Sequence, residues 1–202
     1  MKIKICGLFR DEDIDYINEA RPDYAGFVFA KSKRQVSLDQ AQHLRSRLAD
    51  RIIPVGVFVD APVAEVAALY RNGIISIAQL HGKEDEDYIA RLKEACNIPV
   101  IKVMITNNPQ FSIPCSPLSD YYLFDSGAGT GKTFNWDSLE TQKIDKPWFL
   151  AGGINLDNIR QAMTLNPYAI DVSSGAETDG FKDREKVLQL TNAVKNYHKE
   201  IK

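Results

Sequence analysis

Short apolar runs rich in β-branched and aromatic residues recur about every 20 to 25 residues along the chain, a pattern typical of buried strands. Segments between them, such as 38–48, 63–70 and 187–197, carry apolar residues at helical spacing. Because strand alternates with helix, the pattern predicts a parallel sheet. The eight predicted strands cover residues 3–7, 24–30, 53–60, 74–81, 99–104, 121–126, 148–153 and 169–175.

Eight such units predict a single (β/α)8 TIM barrel, an α/β fold. A doubly wound open sheet uses the same alternation and is the alternative. The fifth crossover, 106–120, is an exception, because Pro109, Pro114 and Pro117 rule out a regular helix of normal length there. We therefore expect the fifth helix to be short or replaced by a loop.

Two strand ends near the C-terminus are rich in small residues. The seventh strand ends in Gly152 and Gly153, ahead of Asn155, a candidate helix cap, and the eighth leads into Ser174 and Gly175. Without a Cβ in the way, backbone N–H groups can approach a ligand closely at such positions. The loops after strands seven and eight of (β/α)8 barrels commonly bind phosphate. These glycines therefore favour the barrel over the open sheet and predict a phosphate site.

Composition narrows the class of protein further. The chain has 202 residues, 44% hydrophobic and 26% charged, which suits one globular domain over 1–202. The net charge of −2 gives no broad field to attract nucleic acid or an anionic membrane. No apolar stretch approaches a membrane span, and three scattered cysteines match no disulfide or metal framework. We expect a cytoplasmic protein with no bound metal and no nucleic-acid or membrane partner.

The period of two along each strand assigns its side chains to the barrel interior or to the layer under the helices. The residues predicted to face inward are Lys4 and Cys6, Gln79 and His81, Leu123 and Asp125, and Ala169, Asp171 and Ser173. The opposite faces carry Ile3, Ile5, Phe124, Ile170 and Val172. Because functional groups of such barrels project from the C-terminal strand ends, the polar inward residues are expected to converge at one mouth.

Each candidate also has a simpler interpretation. A free cysteine is usually a small buried hydrophobe, but Cys6 shares a face with Lys4, and a neighbouring cation favours the thiolate. Asp125 can cap the loop that follows it. His81 is compatible both with a hydrogen-bonded polar residue at a strand end and with a residue that lines a pocket.

Arg34 follows the second strand and by type is a solvated surface residue. At the mouth, its guanidinium can instead hold a planar carboxylate by two hydrogen bonds.

A third glycine-rich segment, 127–133, ends in Gly131, Lys132 and Thr133 and so invites comparison with a nucleotide-binding P-loop. The P-loop pattern requires a glycine where this chain has Ser126. The pattern therefore argues against an NTPase, although the glycines can still offer N–H groups to an anion.

The motifs form a series that runs through nearly the whole chain. They are Lys4-Ile5-Cys6-Gly7, Gly26-Phe27-Val28-Phe29 with Ser32 and Arg34, Val55-Gly56-Val57-Phe58, Gln79-Leu80-His81-Gly82, Leu123-Phe124-Asp125-Ser126 with Gly129-Thr130-Gly131, Leu150-Ala151-Gly152-Gly153, and Asp171-Val172-Ser173-Ser174-Gly175. Any one motif is unspecific, but the ordered set closely resembles phosphoribosylanthranilate isomerase. The resemblance implies a (β/α)8 barrel that isomerises N-(5-phosphoribosyl)anthranilate to 1-(2-carboxyphenylamino)-1-deoxyribulose 5-phosphate in tryptophan synthesis.

The resemblance also implies roles for individual residues. It places the general base at Cys6, the general acid at Asp125 and the carboxylate-binding arginine at Arg34. Asp171 contacts the ribose hydroxyls or supports Cys6. The residues implied in phosphate binding are Gly131, Gly152, Gly153, Ser174 and Gly175, and the further substrate-binding candidates are Gln79, His81 and Ser173. The implied ligand is a small phosphoribosyl substrate, with no metal or organic cofactor, and the protein is expected to be a monomer or a homodimer.

This reaction, an Amadori rearrangement, needs an acid and a base. A protonated Asp125 would open the sugar ring, and the Cys6 thiolate would remove the proton from the second carbon. Such a base requires the thiol pKa to be lowered from its ordinary value of ~8.5, and Lys4 or Lys102 is the expected cation.

Two rival functions remain at this point. A related barrel isomerase of histidine synthesis performs the same rearrangement on a doubly phosphorylated substrate, but it has an aspartate as base where this chain has Cys6. A phosphosugar-binding or regulatory barrel without turnover is the second rival, and the intact Cys6 and Asp125 argue against it.

Overall fold

Eight parallel strands close into a barrel in the order of the sequence. The computed structural model describes residues 1–106, 116–126, 136, 139 and 143–200, with side chains described as far as 197. The strands are β1 Lys2–Cys6, β2 Tyr24–Val28, β3 Ile53–Phe58, β4 Ile77–Leu80, β5 Val100–Ile105, β6 Tyr121–Asp125, β7 Trp148–Leu150 and β8 Ala169–Val172. Since β1 pairs with both β2 and β8, the predicted barrel is confirmed and the open sheet is wrong.

Helices cover the outside of this barrel. Those in the described ranges are α1 Asp11–Ala20, α2 Leu38–Arg47, α3 Val63–Arg71, α4 Glu86–Cys96, α5 Ile159–Thr164 and α6 Arg184–Glu200. A 3-10 turn, Ser174–Ala176, follows β8 and leads into a short antiparallel hairpin of β9 Glu177–Thr178 and β10 Phe181–Lys182. No helix in the described residues is both long and apolar enough to cross a membrane.

Local signals explain some of the helix starts. Ser37 caps α2, because its Oγ accepts a hydrogen bond of 3.1 Å from the Gln40 N–H. Asn155 caps the turn that leads into α5, three residues ahead of the Asn158 at the helix boundary. Its Oδ1 accepts from the Asp157 N–H at 2.9 Å, and its carbonyl accepts from the Ile159 N–H at 3.0 Å.

The described part of the fifth crossover agrees with the prediction made from its prolines. Thr106 and residues 116–120 contain no helix, and within them 117–118 form a turn and Asp120 a bend. Residues 107–115, with Pro109 and Pro114, lie outside the described part of the chain.

Side chains of the strands alternate between two apolar layers, as predicted. The cluster inside the barrel consists of Tyr24, Val55, Ile77, Ile101, Val103, Leu123, Phe149, Ala151 and Ala169. The layer under the helices contains the other predicted set, Ile3, Ile5, Phe124, Ile170 and Val172. Because both faces of every strand are occupied in this way, the sheet is buried on both sides.

Aromatic rings fill the N-terminal end of the barrel. The Phe149 ring lies 5.4 Å from that of Tyr24, 5.8 Å from that of Tyr121 and 5.8 Å from that of Tyr168, measured between centroids. Because these rings occupy the N-terminal end of the barrel, the polar side chains of the candidate site lie toward its C-terminal end.

We predict that Phe149→Ala lowers the free energy of unfolding by about 3–5 kcal/mol, because a fully buried ring leaves a cavity among neighbours that collapse only partly. The control Leu38→Ala removes an apolar side chain that is 53% exposed, and we expect a change within about 0.5 kcal/mol. Chemical denaturation followed by circular dichroism measures both. Equal denaturation midpoints for the two variants would contradict the packed interior.

Candidate active site

A cavity of about 730 Å³ opens at the C-terminal ends of the strands. It brings together nearly all the residues selected from the sequence. Those that line it are Cys6, Arg34, Gln79, His81, Asp125, Gly152, Gly153, Asp171, Ser173 and Ser174. Gly175 lies behind this lining, and Gly131, with the rest of 127–133, is outside the described residues.

A buried ion pair lies in the floor of the cavity. Lys4 of β1 and Asp171 of β8 are register partners, and the Lys4 Nζ donates to both carboxylate oxygens at 2.9 Å. Burial disfavours the charge of Lys4, but Asp171, and after it Cys6, hold the pKa of Lys4 above its ordinary value. The cavity floor therefore holds a permanent cation.

The Cys6 thiol lies beside this pair at the end of β1. Burial raises the pKa of Cys6 above its ordinary value; Lys4 opposes the shift, Asp171 adds to it, and Lys182 opposes it weakly. The expectation of a lowered thiol pKa is therefore wrong for this structure, and the thiol is protonated at neutral pH. Lys4 is the cation next to Cys6, whereas the Lys102 Nζ donates to the backbone carbonyl of Glu84 at 2.6 Å.

Asp125 and His81 face each other across the cavity mouth. Asp125 is the last residue of β6 and His81 follows β4, with 3.8 Å between His81 Nε2 and Asp125 Oδ2. Burial lowers the pKa of His81 below its ordinary value, although Asp125 opposes the shift. The imidazole beside Asp125 is therefore uncharged at neutral pH. Of the two interpretations of His81, the structure selects the one that lines the pocket.

Gln79 brings an unpaired acceptor to the same cavity. Its side chain is 2% exposed, and its Oε1 has no hydrogen-bond partner among the described residues. A buried polar atom without a partner is costly, and a donor from a ligand in the cavity would satisfy it.

Arg34 reaches the cavity but already holds a carboxylate of the protein. Its Nε and Nη2 donate to the two oxygens of Glu177 at 2.6 and 2.7 Å. Lys182 Nζ donates to the same carboxylate at 2.5 Å. Sequence reasoning missed Glu177 and Lys182, although Asp179 and Gly180 between them form a dipeptide typical of hairpin turns, and both have positive φ.

The loops after β7 and β8 offer backbone donors. Among the described residues, no group accepts a hydrogen bond from the N–H of Gly152, Gly153, Ser174 or Gly175. Gly175 has a further role that the sequence did not reveal. A Cβ placed on it would lie 1.9 Å from the Ile154 carbonyl oxygen, so only glycine lets the two loops approach this closely.

Comparisons with known proteins agree with this arrangement. Residues 3–193 match the family described as N-(5'-phosphoribosyl)anthranilate (PRA) isomerase. The N-(5'-phosphoribosyl)anthranilate isomerase of Endomicrobium trichonymphae is 44% identical over 201 residues, covering 96% of this chain and 98% of that protein. The crystal structure of phosphoribosyl anthranilate isomerase from Thermus thermophilus superimposes with a TM-score of 0.84 at 29% identity, covering 98% of this chain and all of that one.

A further solved structure carries a ligand. It is phosphoribosyl anthranilate isomerase in complex with reduced 1-(o-carboxyphenylamino)-1-deoxyribulose 5-phosphate. It has a TM-score of 0.78 and 28% identity, covering 97% of this chain and 99% of that one.

We predict that Asp171→Asn shifts ionisation of Cys6 to lower pH, because Asp171 is a negative charge that raises the thiol pKa. The rate of alkylation by iodoacetamide as a function of pH measures this, in a background carrying Cys96→Ser and Cys115→Ser. Asp50→Asn, which alters a fully exposed carboxylate, is the matched control and leaves the profile unchanged. An Asp171→Asn profile at the same or higher pH would refute this account of the thiol.

Proposed function

The chain belongs to the family of N-(5'-phosphoribosyl)anthranilate isomerases, and we propose that Cys6 and Asp125 are the general base and general acid of its reaction. It is an enzyme of tryptophan biosynthesis that converts N-(5-phosphoribosyl)anthranilate into 1-(2-carboxyphenylamino)-1-deoxyribulose 5-phosphate. The observation that carries the proposal is one cavity that holds a thiol next to a buried cation, the Asp125 carboxyl group, and backbone N–H groups that have no acceptor among the described residues.

The acid step begins at Asp125. A protonated Asp125 gives its proton to the ring oxygen of the sugar, the bond between that oxygen and the first carbon breaks, and the nitrogen lone pair forms an iminium ion. His81 lies beside Asp125, with 3.8 Å between His81 Nε2 and Asp125 Oδ2, and its imidazole is uncharged at neutral pH because burial lowers the pKa of His81.

The base step belongs to Cys6. Its thiolate takes the proton from the second carbon, and the electrons of that C–H bond form the double bond of an enolamine, which then tautomerises to the ketone. The thiol is protonated in the structure, so it must first give its proton to solvent that reaches Cys6 through the open cavity. The positive iminium ion produced by the acid step, together with Lys4, favours the thiolate at that moment.

We propose that the substrate phosphate binds between the loops after β7 and β8. Support comes from the N–H groups of Gly152, Gly153 and Ser174, which have no acceptor in the described part of the chain. Backbone donors of this kind suit an anion in a protein that has little net charge. Gly175 acts behind them by letting the loops meet, and the role of Gly131 stays a prediction from the resemblance.

The remaining substrate contacts are also proposals. The Gln79 amide and His81 face the ribose. Asp171 either contacts the ribose hydroxyls or supports Cys6 by holding Lys4 beside it. Ser173 lies at the start of the phosphate loop. The single domain over 1–202, the cytoplasmic location, the monomeric or homodimeric state and the lack of metal or organic cofactor stay predictions.

We expect Cys6→Ala and Asp125→Asn each to lower turnover by about 10²- to 10⁴-fold, the usual effect of losing a general base or acid. The assay follows the fluorescence of freshly made phosphoribosylanthranilate as it is consumed. Cys96→Ala and Asp50→Asn remove a thiol and a carboxylate away from the cavity and keep wild-type turnover. Near-normal turnover of Cys6→Ala would reject that base, and a wild type that binds substrate without turnover would establish a binding barrel.

We also predict that Gly175→Ala weakens competitive inhibition by inorganic phosphate about tenfold or more, because the added methyl group forces the two loops apart. Gly73→Ala is the control for a loss of stability alone, since its φ of +69° strains an alanine although a Cβ there meets no atom within 4 Å, and Gly73 does not line the cavity. Thermal unfolding of both variants checks that the barrel is intact. An unchanged inhibition constant in a folded Gly175→Ala variant would place the phosphate elsewhere.

A further inference from the structure

The β9–β10 hairpin places two buried charges against Arg34 at the edge of the cavity. Glu177 and Lys182 begin and end this hairpin, and both side chains are buried. We propose that Glu177 and Lys182 are positioning residues that hold the Arg34 guanidinium ready for the carboxylate of the substrate. This inference rests on the proposed function, and it concerns residues that take no part in the acid and base steps.

The contact with Glu177 leaves part of the guanidinium available. A guanidinium can hold a carboxylate along its Nε–Nη2 edge or along its Nη1–Nη2 edge. Glu177 occupies the first of these, with distances of 2.6 and 2.7 Å. Among the described residues, no group accepts a hydrogen bond from Nη1. Since Arg34 lines the cavity, the second edge is the one that can take a carboxylate from a ligand.

The charges of the cluster explain why a lysine accompanies the glutamate. Glu177 alone would neutralise Arg34 and leave little attraction for a second carboxylate. The pKa of Lys182 lies below its ordinary value, because burial outweighs the opposing effect of Glu177. The Lys182 Nζ nevertheless has the contacts of an ammonium group, since it donates to the Glu177 carboxylate at 2.5 Å and to the Ser173 carbonyl at 3.3 Å. Two cations and one anion then leave one positive charge at the cavity edge.

Packing restricts Arg34 from the opposite side. Its stem lies on Gly7, the residue after Cys6, so closely that a Cβ on Gly7 would be 2.4 Å from Arg34 Cδ. Lys182 Nζ also donates to the Ser173 carbonyl at 3.3 Å, and the Ser173 Oγ donates to the Cys6 carbonyl at 3.2 Å. The guanidinium is thereby tied both to the strand that carries the base and to the start of the phosphate loop.

The consequence is that Glu177 affects the binding of the carboxylate selectively. An arginine fixed by Glu177 holds a carboxylate at a set position relative to Cys6 and to the phosphate loop. Binding energy from the carboxylate therefore depends on Glu177, whereas binding energy from the phosphate and ribose does not.

The test compares two ligands. One is reduced 1-(o-carboxyphenylamino)-1-deoxyribulose 5-phosphate, and the other is the same molecule with an unsubstituted phenyl ring. We expect Glu177→Gln to weaken binding of the first about tenfold or more, measured by titration calorimetry, and to leave binding of the second within about twofold. In turnover assays we expect the effect to fall on KM. Arg34→Ala combined with Glu177→Gln should bind the first ligand no more weakly than Arg34→Ala alone.

The matched control is Glu19→Gln. Glu19 forms the same kind of two-bond pair with Arg184, but on the exposed surface, and its loss should change neither affinity. Should Glu177→Gln fail to fold, Lys182→Met provides the comparison, and the same selective loss is expected because the positive charge of the cluster disappears.

Three results would overturn the inference. Tighter binding of the carboxylate ligand by Glu177→Gln would make Glu177 a competing anion. Equally weakened binding of both ligands would mean that Glu177 has only a structural role. Unchanged affinities for both would mean that Glu177 has no role in recognising the carboxylate. A wild type that neither turns over phosphoribosylanthranilate nor binds either ligand would instead overturn the proposed function itself.

Discussion

The ion pair between Lys4 and Asp171 is the interaction on which the rest of the structure depends. It joins β1 to β8, the two strands that close the barrel, and both side chains are buried inside it. A shift of one residue in the register of either strand would move a charge into the apolar layer under the helices. Removal of one partner from such a pair typically costs about 3–5 kcal/mol, because the other charge is left buried alone. The pair therefore fixes closure and register as well as the charge of the cavity floor.

The same pair determines how reactive Cys6 is before substrate arrives. Burial and Asp171 raise the thiol pKa, while Lys4 opposes them. A buried thiol that keeps its proton is a weak nucleophile and is less open to oxidation. Ionisation of Cys6 then depends on a second positive charge, which the ring-opened iminium ion provides under the proposed mechanism. In that mechanism the acid step precedes the base step, because the C–H bond of the second carbon becomes acidic only in the iminium ion.

Recognition of the two anionic ends of the substrate is built differently. Under the proposed function, backbone N–H groups supply the donors at the phosphate end, and the contact of Gly175 with Ile154 keeps the loops after β7 and β8 close together. At the carboxylate end a side chain supplies them, and a flexible arginine needs partners to hold it. Glu177 and Lys182 are those partners in the proposal, and Ser173 links the two ends through Lys182.

The sequence by itself determined the eight strands, the inward and outward faces of each, and the convergence of Cys6, His81 and Asp125 on one mouth. These features follow from local periodicity and from the rule that parallel strands end at the same side. Only the tertiary structure decided that Arg34 pairs with Glu177 and that the Cys6 pKa rises. Arg34 and Glu177 are 143 positions apart in the chain, and Lys4 and Asp171 are 167 apart. Distances through space and the extent of burial set charge interactions, and neither can be read from the order of residues.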